Sequence, residues 1–188
     1  MPKYLAALTI VAMLGMVGAR VLLLKKHGIK AIKFGETDKT DFLIPPLALF
    51  YVYLVFAAAF GLPGLSAKEI VPSAIAEWFG VALCFTGLSV LLWSLISFGN
   101  SFRVGIDMRR PDRLVTQGIF AYSRNPIYVA FALILIGQFL IYSNWIFFAF
   151  ALAGFCLFHR QVLREEKYLK RHYGEEYIEY CRSVRRYL

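Results

Sequence analysis

Residues 124–128 read Arg124-Asn125-Pro126-Ile127-Tyr128, and this short polar elbow opens directly into about thirty nearly uncharged residues, 127–158. A second polar cluster, Arg164-Glu165-Glu166, follows soon after them. The pattern predicts a hydrophobic helical hairpin bracketed by an Arg/Asn/Pro/Tyr corner and a pair of carboxylates. Such an arrangement indicates a site at a membrane surface, with a polar ligand reaching it from one side and an apolar ligand from the other.

The composition agrees with a membrane protein. Of the 188 residues, 59% are hydrophobic and 18% are charged, and the mean hydropathy is +0.59. Soluble domains are closer to 45–50% apolar and about 25% charged. Several runs approach the roughly 20 apolar residues that a bilayer span needs. We therefore predict one all-α, polytopic membrane domain over residues 1–188, with three transmembrane helices in 1–98 and a polar loop, a helical hairpin and a helical tail in 99–188.

About five transmembrane helices are expected. The last two are short for a full crossing, so flanking residues must extend them or the bilayer must thin. Ser73 is placed to cap the third span, and the tail from His159 is expected to be helical with a break at Gly174. The five predicted spans are Tyr4–Leu24, Phe42–Leu62, 74–98, Ile127–Tyr142 and Trp145–Phe158.

The charges are distributed unevenly. The net charge is +9, and 18 of the 21 lysines and arginines fall in the loops 25–41 and 99–126 and the tail 159–188. Under five spans these three segments share one side of the membrane, so the positive-inside rule places the C-terminus in the cytoplasm and the N-terminus outside. Because the membrane accounts for the charge and no recognition module is visible, we expect no binding to nucleic acid.

Cysteines and histidines give no sign of a disulfide framework or a metal site. Cys84 and Cys156 lie in apolar runs and Cys181 in the basic tail, so three free thiols are expected. The histidines are far apart, and no Cys-x-x-Cys occurs.

The elbow has features of an anion site. Asn125 is a preferred N-cap residue and Pro126 suits the first helical position, so the amides of Ile127 and Tyr128 should point out of the helix start. A helix start of this kind attracts anions, and Arg124 adds a fixed cation. The simpler interpretation is that Asn-Pro only begins a transmembrane helix and that the arginine anchors it at the interface.

The paired glutamates point about 100° apart on a helix. We expect one to face a pocket and the other to pair with Lys167 or Lys170, and the spacing does not say which is which. The alternative is an ordinary solvated helix face. His159 lies two turns before Glu166 on the same helix face, a spacing that allows an acid–base pair. Most of the five tail tyrosines are expected in an interfacial belt.

Taken together, these segments resemble the isoprenylcysteine carboxyl methyltransferase family, integral membrane enzymes related to the phosphatidylethanolamine N-methyltransferases. The segment 114–128 is similar to that family's Leu-Val-x-x-Gly-(Ile/Val)-Tyr and Arg-His-Pro-x-Tyr motifs. The segment 164–180 is similar to its Glu-Glu-x-x-Leu and Phe-Gly-x-Glu-Tyr-x-x-Tyr motifs, and 98–102 is similar to a Gly-x-Asn-aromatic turn.

The resemblance implies S-adenosylmethionine as methyl donor, bound at the cytoplasmic end of the last two spans, and a lipophilic or lipidated acceptor among the membrane lipids. It implies Arg182 and Arg186 as catalytic groups on the substrate side, with Arg185 as an alternative to Arg186, and no metal. The cofactor-binding residues that it implies are Leu114, Val115, Gly118, Ile119, Tyr122, Arg124, Asn125, Pro126, Tyr128, Glu165 and Glu166.

One departure bears on the chemistry. Asn125 stands where the family usually has histidine, which removes a titratable group. A prenylcysteine carboxylate, a phospholipid amine and a thiol therefore all remain open as acceptors. Two other functions are considered. An NADPH-dependent sterol-type reductase is disfavoured because no dinucleotide fingerprint occurs, and because the glutamate pair favours the methyltransferase. The second alternative is a non-catalytic membrane protein with the same fold, because a fold does not by itself determine a function.

Overall fold

The computed structural model describes residues 1–26, 44–62, 70, 73–99 and 114–188. The predicted loop 25–41 beyond Lys26, the start of the second span, the turn after Leu62 and the loop residues 100–113 lie outside this part of the chain.

The described residues contain six α-helices and no strand. One 3₁₀ turn, Gly118–Ala121, precedes the elbow. The predicted all-α class is confirmed. The helices are α1, Pro2–Lys26; α2, Ile44–Phe60; α3, Ala74–Phe98; α4, Pro126–Tyr142; α5, Trp145–Tyr173; and α6, Glu175–Ser183.

Three of these helices, α1, α3 and α5, are long and apolar enough to cross a membrane. The apolar helices α2 and α4 have 17 residues each, or about 25 Å at 1.5 Å per residue, which is somewhat less than the hydrocarbon core. The chain is thus a polytopic membrane protein. The extension expected for the span Trp145–Phe158 is present, because α5 continues without interruption to Tyr173. The cytoplasmic placement of the tail stays a prediction.

Polar residues set the ends of the helices. The Ser73 hydroxyl accepts a hydrogen bond from the Ala76 amide at 3.4 Å, as expected for the cap of α3. The side chain of Asn144 accepts from the amides of Ile146 and Phe147 at 3.0 and 3.1 Å and caps α5. Gly174 ends α5 with a φ of +56°, a value that glycine adopts without strain. The predicted break is confirmed, although its ψ of −125° lies outside the left-handed helical region.

The closest helix contact is between α3 and α4, where small residues let the two backbones approach. A β-carbon added to Gly137 would lie 2.6 Å from the Gly80 carbonyl oxygen and 2.7 Å from Cys84 Sγ. A β-carbon on Gly87 would lie 2.9 Å from the Ala130 carbonyl oxygen. This tight pair carries the candidate site, because α4 begins at the elbow and the C-terminal end of α3 packs against the 3₁₀ turn.

Buried polar side chains join α1 and α2 to this pair. The fully buried Gln138 donates from Nε2 to the Ala6 carbonyl oxygen at 2.9 Å. The Tyr142 hydroxyl lies 3.1 Å from the carbonyl oxygens of both Lys3 and Val55. Polar contacts in an apolar bundle fix which helix faces meet, since the groups have no water to bond with.

The α3–α4 contact can be tested with two glycine substitutions. Gly137→Ala should lower the free energy of unfolding by about 1–3 kcal/mol, because the new methyl group would overlap the backbone of α3. Gly15→Ala in α1 is the matched control, because an added β-carbon there meets no atom within 4 Å. Thermal unfolding of both variants in detergent gives the comparison. Equal stability of the two would contradict the packing described.

Candidate functional site

One carboxylate joins the elbow to the end of the chain. Glu166 on α5 is buried, with only 9% of its surface exposed. Its Oε1 accepts a hydrogen bond from Asn125 Nδ2 at 3.2 Å and lies 3.4 Å from Arg124 Nη2. Its Oε2 lies 2.9 and 3.0 Å from Nη2 and Nε of Arg186. Two guanidinium groups and one amide therefore share a single carboxylate, which we call the Glu166 network.

Backbone hydrogen bonds strengthen the same junction. The Arg124 amide donates to the Arg185 carbonyl oxygen at 3.0 Å, and Asn125 Nδ2 donates to the Arg186 carbonyl oxygen at 3.1 Å. The guanidinium of Arg124 also contacts Cys181 Sγ, while its Nε is buried without a hydrogen-bond partner. The residues after α6 thus lie against the elbow, held by both side-chain and main-chain bonds.

The expected capping role of Asn125 is wrong. Asn125 occupies the N-cap position of α4 and Pro126 the first helical position, but the asparagine side chain makes no capping bond. Its amide group turns toward Glu166 instead, since a hydrogen bond to a carboxylate is about twice as strong as a neutral one. The Tyr128 amide bonds to the Asn125 carbonyl oxygen at 3.1 Å, so it does not point out of the helix start as predicted.

Both glutamates face inward, which corrects the expectation that one pairs with a lysine. Glu166 binds two arginines, and Glu165 Oε1 accepts from the Tyr128 hydroxyl at 2.7 Å and from Gln161 Nε2 at 3.1 Å. The 100° between adjacent residues suffices for this, because α4 approaches α5 on one side and the terminal segment approaches it on the other.

Tyr128 also lines a groove between α4 and α5, with a cavity volume of about 220 Å³. Besides Tyr128, the polar residues of its lining are His159 and Tyr187, and His159 Nδ1 lies 2.8 Å from the Tyr187 hydroxyl oxygen. His159 therefore pairs with Tyr187, and the acid–base pair suggested with Glu166 is not formed. The remaining walls are apolar: Val129, Ala132, Leu133, Ile136, Phe155, Phe158 and Leu188.

The segment before the elbow packs partly into the protein. Ile119 and Phe120 are buried, and the Ile119 amide donates to Ser97 Oγ at 3.3 Å. Leu114 and Val115 are half-buried, and Gly118 has a φ of +66° at an exposed position. Tyr122 is 67% exposed with its ring 5.9 Å from that of Trp93. Of the residues that the resemblance implied for the cofactor, Gly118 and Tyr122 are thus accessible, whereas Ile119 belongs to the core.

The tail residues separate into two groups. Tyr177 and Tyr180 are buried rather than set in an interfacial belt, and the Tyr180 hydroxyl donates to the Phe120 carbonyl oxygen at 2.7 Å. Burial raises the pKa of Tyr180 to about 12. Arg186 is part of the Glu166 network, whereas Arg182 is exposed on α6.

The three thiols are free, as expected. Cys84, Cys156 and Cys181 are free. Within the described parts of the chain, no group of three histidine, cysteine, aspartate or glutamate side chains is placed to hold a metal ion.

The comparisons with known proteins assign the family. Residues 75–176, more than half of the chain, match the family model described as phospholipid methyltransferase. The chain belongs to the phospholipid methyltransferase family.

Curated relatives carry the name protein-S-isoprenylcysteine O-methyltransferase, which confirms the resemblance. Form B of Arabidopsis thaliana is 32% identical over 109 residues, 56% of this chain and 55% of the relative. The protein of Schizosaccharomyces pombe is 32% identical over 94 residues, 48% of this chain and 40% of the relative. The protein of Tribolium castaneum is 28% identical over 135 residues, which cover 69% of this chain and 45% of the relative. The match thus spans about half the length of these relatives.

The Glu166 network makes a prediction about stability. Glu166→Ala should lower the free energy of unfolding by about 3 kcal/mol, because it leaves the largely buried guanidinium of Arg124 without a counter-charge. Glu179→Ala on the exposed face of α6 is the control and should change stability by less than about 0.5 kcal/mol. Chemical unfolding in detergent measures both. Similar small effects would mean that the network contributes little.

Proposed function

We propose that this protein transfers a methyl group from S-adenosylmethionine to a lipophilic acceptor held in the membrane. The observation that carries the proposal is that Tyr128 belongs to both the polar site and the apolar groove. Its hydroxyl bonds to Glu165 in the polar site, and its ring lines the apolar groove. A polar donor and an apolar acceptor would therefore meet at this residue.

The residues present suit the proposed donor. S-adenosylmethionine has a positively charged sulfonium, an ammonium and ribose hydroxyls, for all of which carboxylate oxygens are good partners. Glu165 offers such oxygens beside Tyr128. The unpartnered Nε of Arg124 is a remaining donor for an anionic group. When bound, S-adenosylmethionine supplies a methyl group on a sulfur that leaves as a neutral thioether.

The proposed contacts divide between two stretches. Leu114, Val115, Gly118, Ile119 and Tyr122 would hold the nucleoside, in part through their backbone. Tyr128 and Glu165 would contact the amino-acid end. Because Arg124, Asn125 and Glu166 already bond to one another, their proposed task, together with Pro126 at the helix start, is to fix the shape of this corner.

The groove is proposed to take the hydrocarbon chain of the acceptor, specifically an isoprenoid chain. Its walls are apolar, and the named relatives act on isoprenylcysteine. Arg186, whose side chain is 39% exposed, precedes the groove residue Tyr187 and is proposed as a substrate-side group. Arg182 is proposed to act at the outer edge, where its exposed side chain can reach a head group or a lipid. Holding both reactants in one sheltered geometry is the main source of rate for a transfer of this kind.

A transfer assay tests the function. Full-length protein in lipid nanodiscs is incubated with S-adenosylmethionine tritiated in the methyl group and with farnesyl compounds that end in a carboxylate, an amine or a thiol. Tritium in at least one lipid product is expected. Binding of NADPH rather than S-adenosylmethionine would favour the reductase, and binding of neither would indicate a non-catalytic protein.

A binding experiment tests the corner of the site. Glu165→Gln should weaken the binding of S-adenosylmethionine by about 1.5–3 kcal/mol, the usual range for a hydrogen bond to a charged group. The fold should survive, because glutamine still accepts from Tyr128. Titration calorimetry measures the affinity, with Glu179→Gln as a surface control. An affinity equal to that of the wild type would remove Glu165 from the site.

A further inference from the structure

The proposed donor site makes no use of one pair of groups in the groove. His159 on α5 and Tyr187 in the terminal segment both line the cavity, and His159 Nδ1 is 2.8 Å from the Tyr187 hydroxyl oxygen. The His159 ring also stacks on Phe155, with centroids 6.3 Å apart and planes 9° from parallel. The imidazole is thus held on two sides at the wall of an otherwise apolar groove.

We propose that His159 is the proton acceptor of the reaction, positioned by Tyr187, and that the acceptor molecule bears an N–H or S–H nucleophile. The inference rests on the proposed methyl transfer and narrows its acceptor. A carboxylate is already deprotonated and needs no base, whereas an amine or a thiol must lose a proton. A positioned imidazole beside the apolar groove fits the second kind of acceptor.

The location suits this role. The groove joins the polar corner through Tyr128, and Tyr187 directly follows Arg186 of the Glu166 network. The base would therefore stand where the acceptor's head group meets the donor. At the elbow itself Asn125 cannot take up a proton, so the groove supplies the titratable group that the elbow lacks.

Among the described residues, two other ionisable side chains line the groove with the imidazole. Tyr187 approaches it from the terminal segment, and Tyr128 lies on the α4 side of the same groove. The charged groups one bond further away are already engaged: Glu165 accepts from Tyr128, and Arg186 pairs with Glu166.

The proton transfer follows from the hydrogen bond between the two side chains. When Nδ1–H of His159 donates to the Tyr187 oxygen, Nε2 keeps its lone pair. The nitrogen or sulfur of the acceptor uses its own lone pair to form the bond to the methyl carbon, and the carbon–sulfur bond of the donor breaks with its electrons on sulfur. The proton of the acceptor passes to Nε2, and the imidazolium then releases it to water.

Three farnesyl compounds with the same tail test the inference: farnesylamine, farnesyl thiol and N-acetyl-S-farnesylcysteine. Wild-type protein in nanodiscs should methylate the amine or the thiol. His159→Phe, which keeps an aromatic ring on Phe155, should lower that kcat by about 10²–10⁴-fold, the usual contribution of a general base. The KM and the affinity for S-adenosylmethionine should change little. Added imidazole should restore part of the activity of His159→Ala.

Two further variants separate a chemical role from a structural one. Tyr187→Phe should lower kcat less than His159→Phe and leave the KM unchanged, since it removes only the group that orients the imidazole. His172→Phe, on the exposed part of the same helix, is the matched control and should match the wild type.

The possible results divide clearly. Methylation of the carboxylate alone, or equal kcat in His159→Phe and wild type, would overturn the inference and leave the proposed methyl transfer intact. Failure of the wild type to bind S-adenosylmethionine and to methylate any of the three compounds would overturn both.

Discussion

The structure of the candidate site depends on the carboxylate of Glu166, a largely buried anion that is shared by two guanidinium groups. Burying a charge is costly unless it is paired and fully hydrogen-bonded. In this site each ion pair offsets the cost of burying the charges of its partners. The elbow, α5 and the terminal segment therefore hold one another in place. Because Asn125 and the backbone of residues 185–186 join the same set of bonds, the interaction fixes position as well as charge.

Because the Glu166 network holds these elements together, a polar environment and an apolar environment meet at the elbow. On one side lie Glu165 and the accessible residues of the segment before the elbow, and on the other lies the apolar groove between α4 and α5. Tyr128 belongs to both sides, and Tyr187 follows the last arginine of the Glu166 network. A methyl transfer between a charged donor and a lipid acceptor needs such a boundary, with the reactants aligned and water kept out.

Much of this could be predicted from the sequence. Hydropathy, cap residues and glycine gave the all-α membrane fold, the cap at Ser73 and the break at Gly174, because these depend on local chemistry. The contacts of Asn125, the direction of both glutamates and the pairing of His159 with Tyr187 could not be predicted. They arise from residues 20 to 61 positions apart in the sequence. A helical spacing says which face of a helix a residue occupies but not which residue lies opposite. Which tail tyrosines are buried could not be predicted for the same reason: Tyr180 is buried because α6 packs against the segment before the elbow.

Hydrogen–deuterium exchange of the Glu166→Gln variant tests the central claim most directly. Loss of the shared charge should raise the exchange of the amides of residues 124 and 184–188 together, while the amides in the middle of α3 and α4 stay protected. The coupled increase would show that one carboxylate holds the elbow to the terminal segment. Unchanged exchange at both places, or an increase spread evenly over the whole bundle, would contradict it.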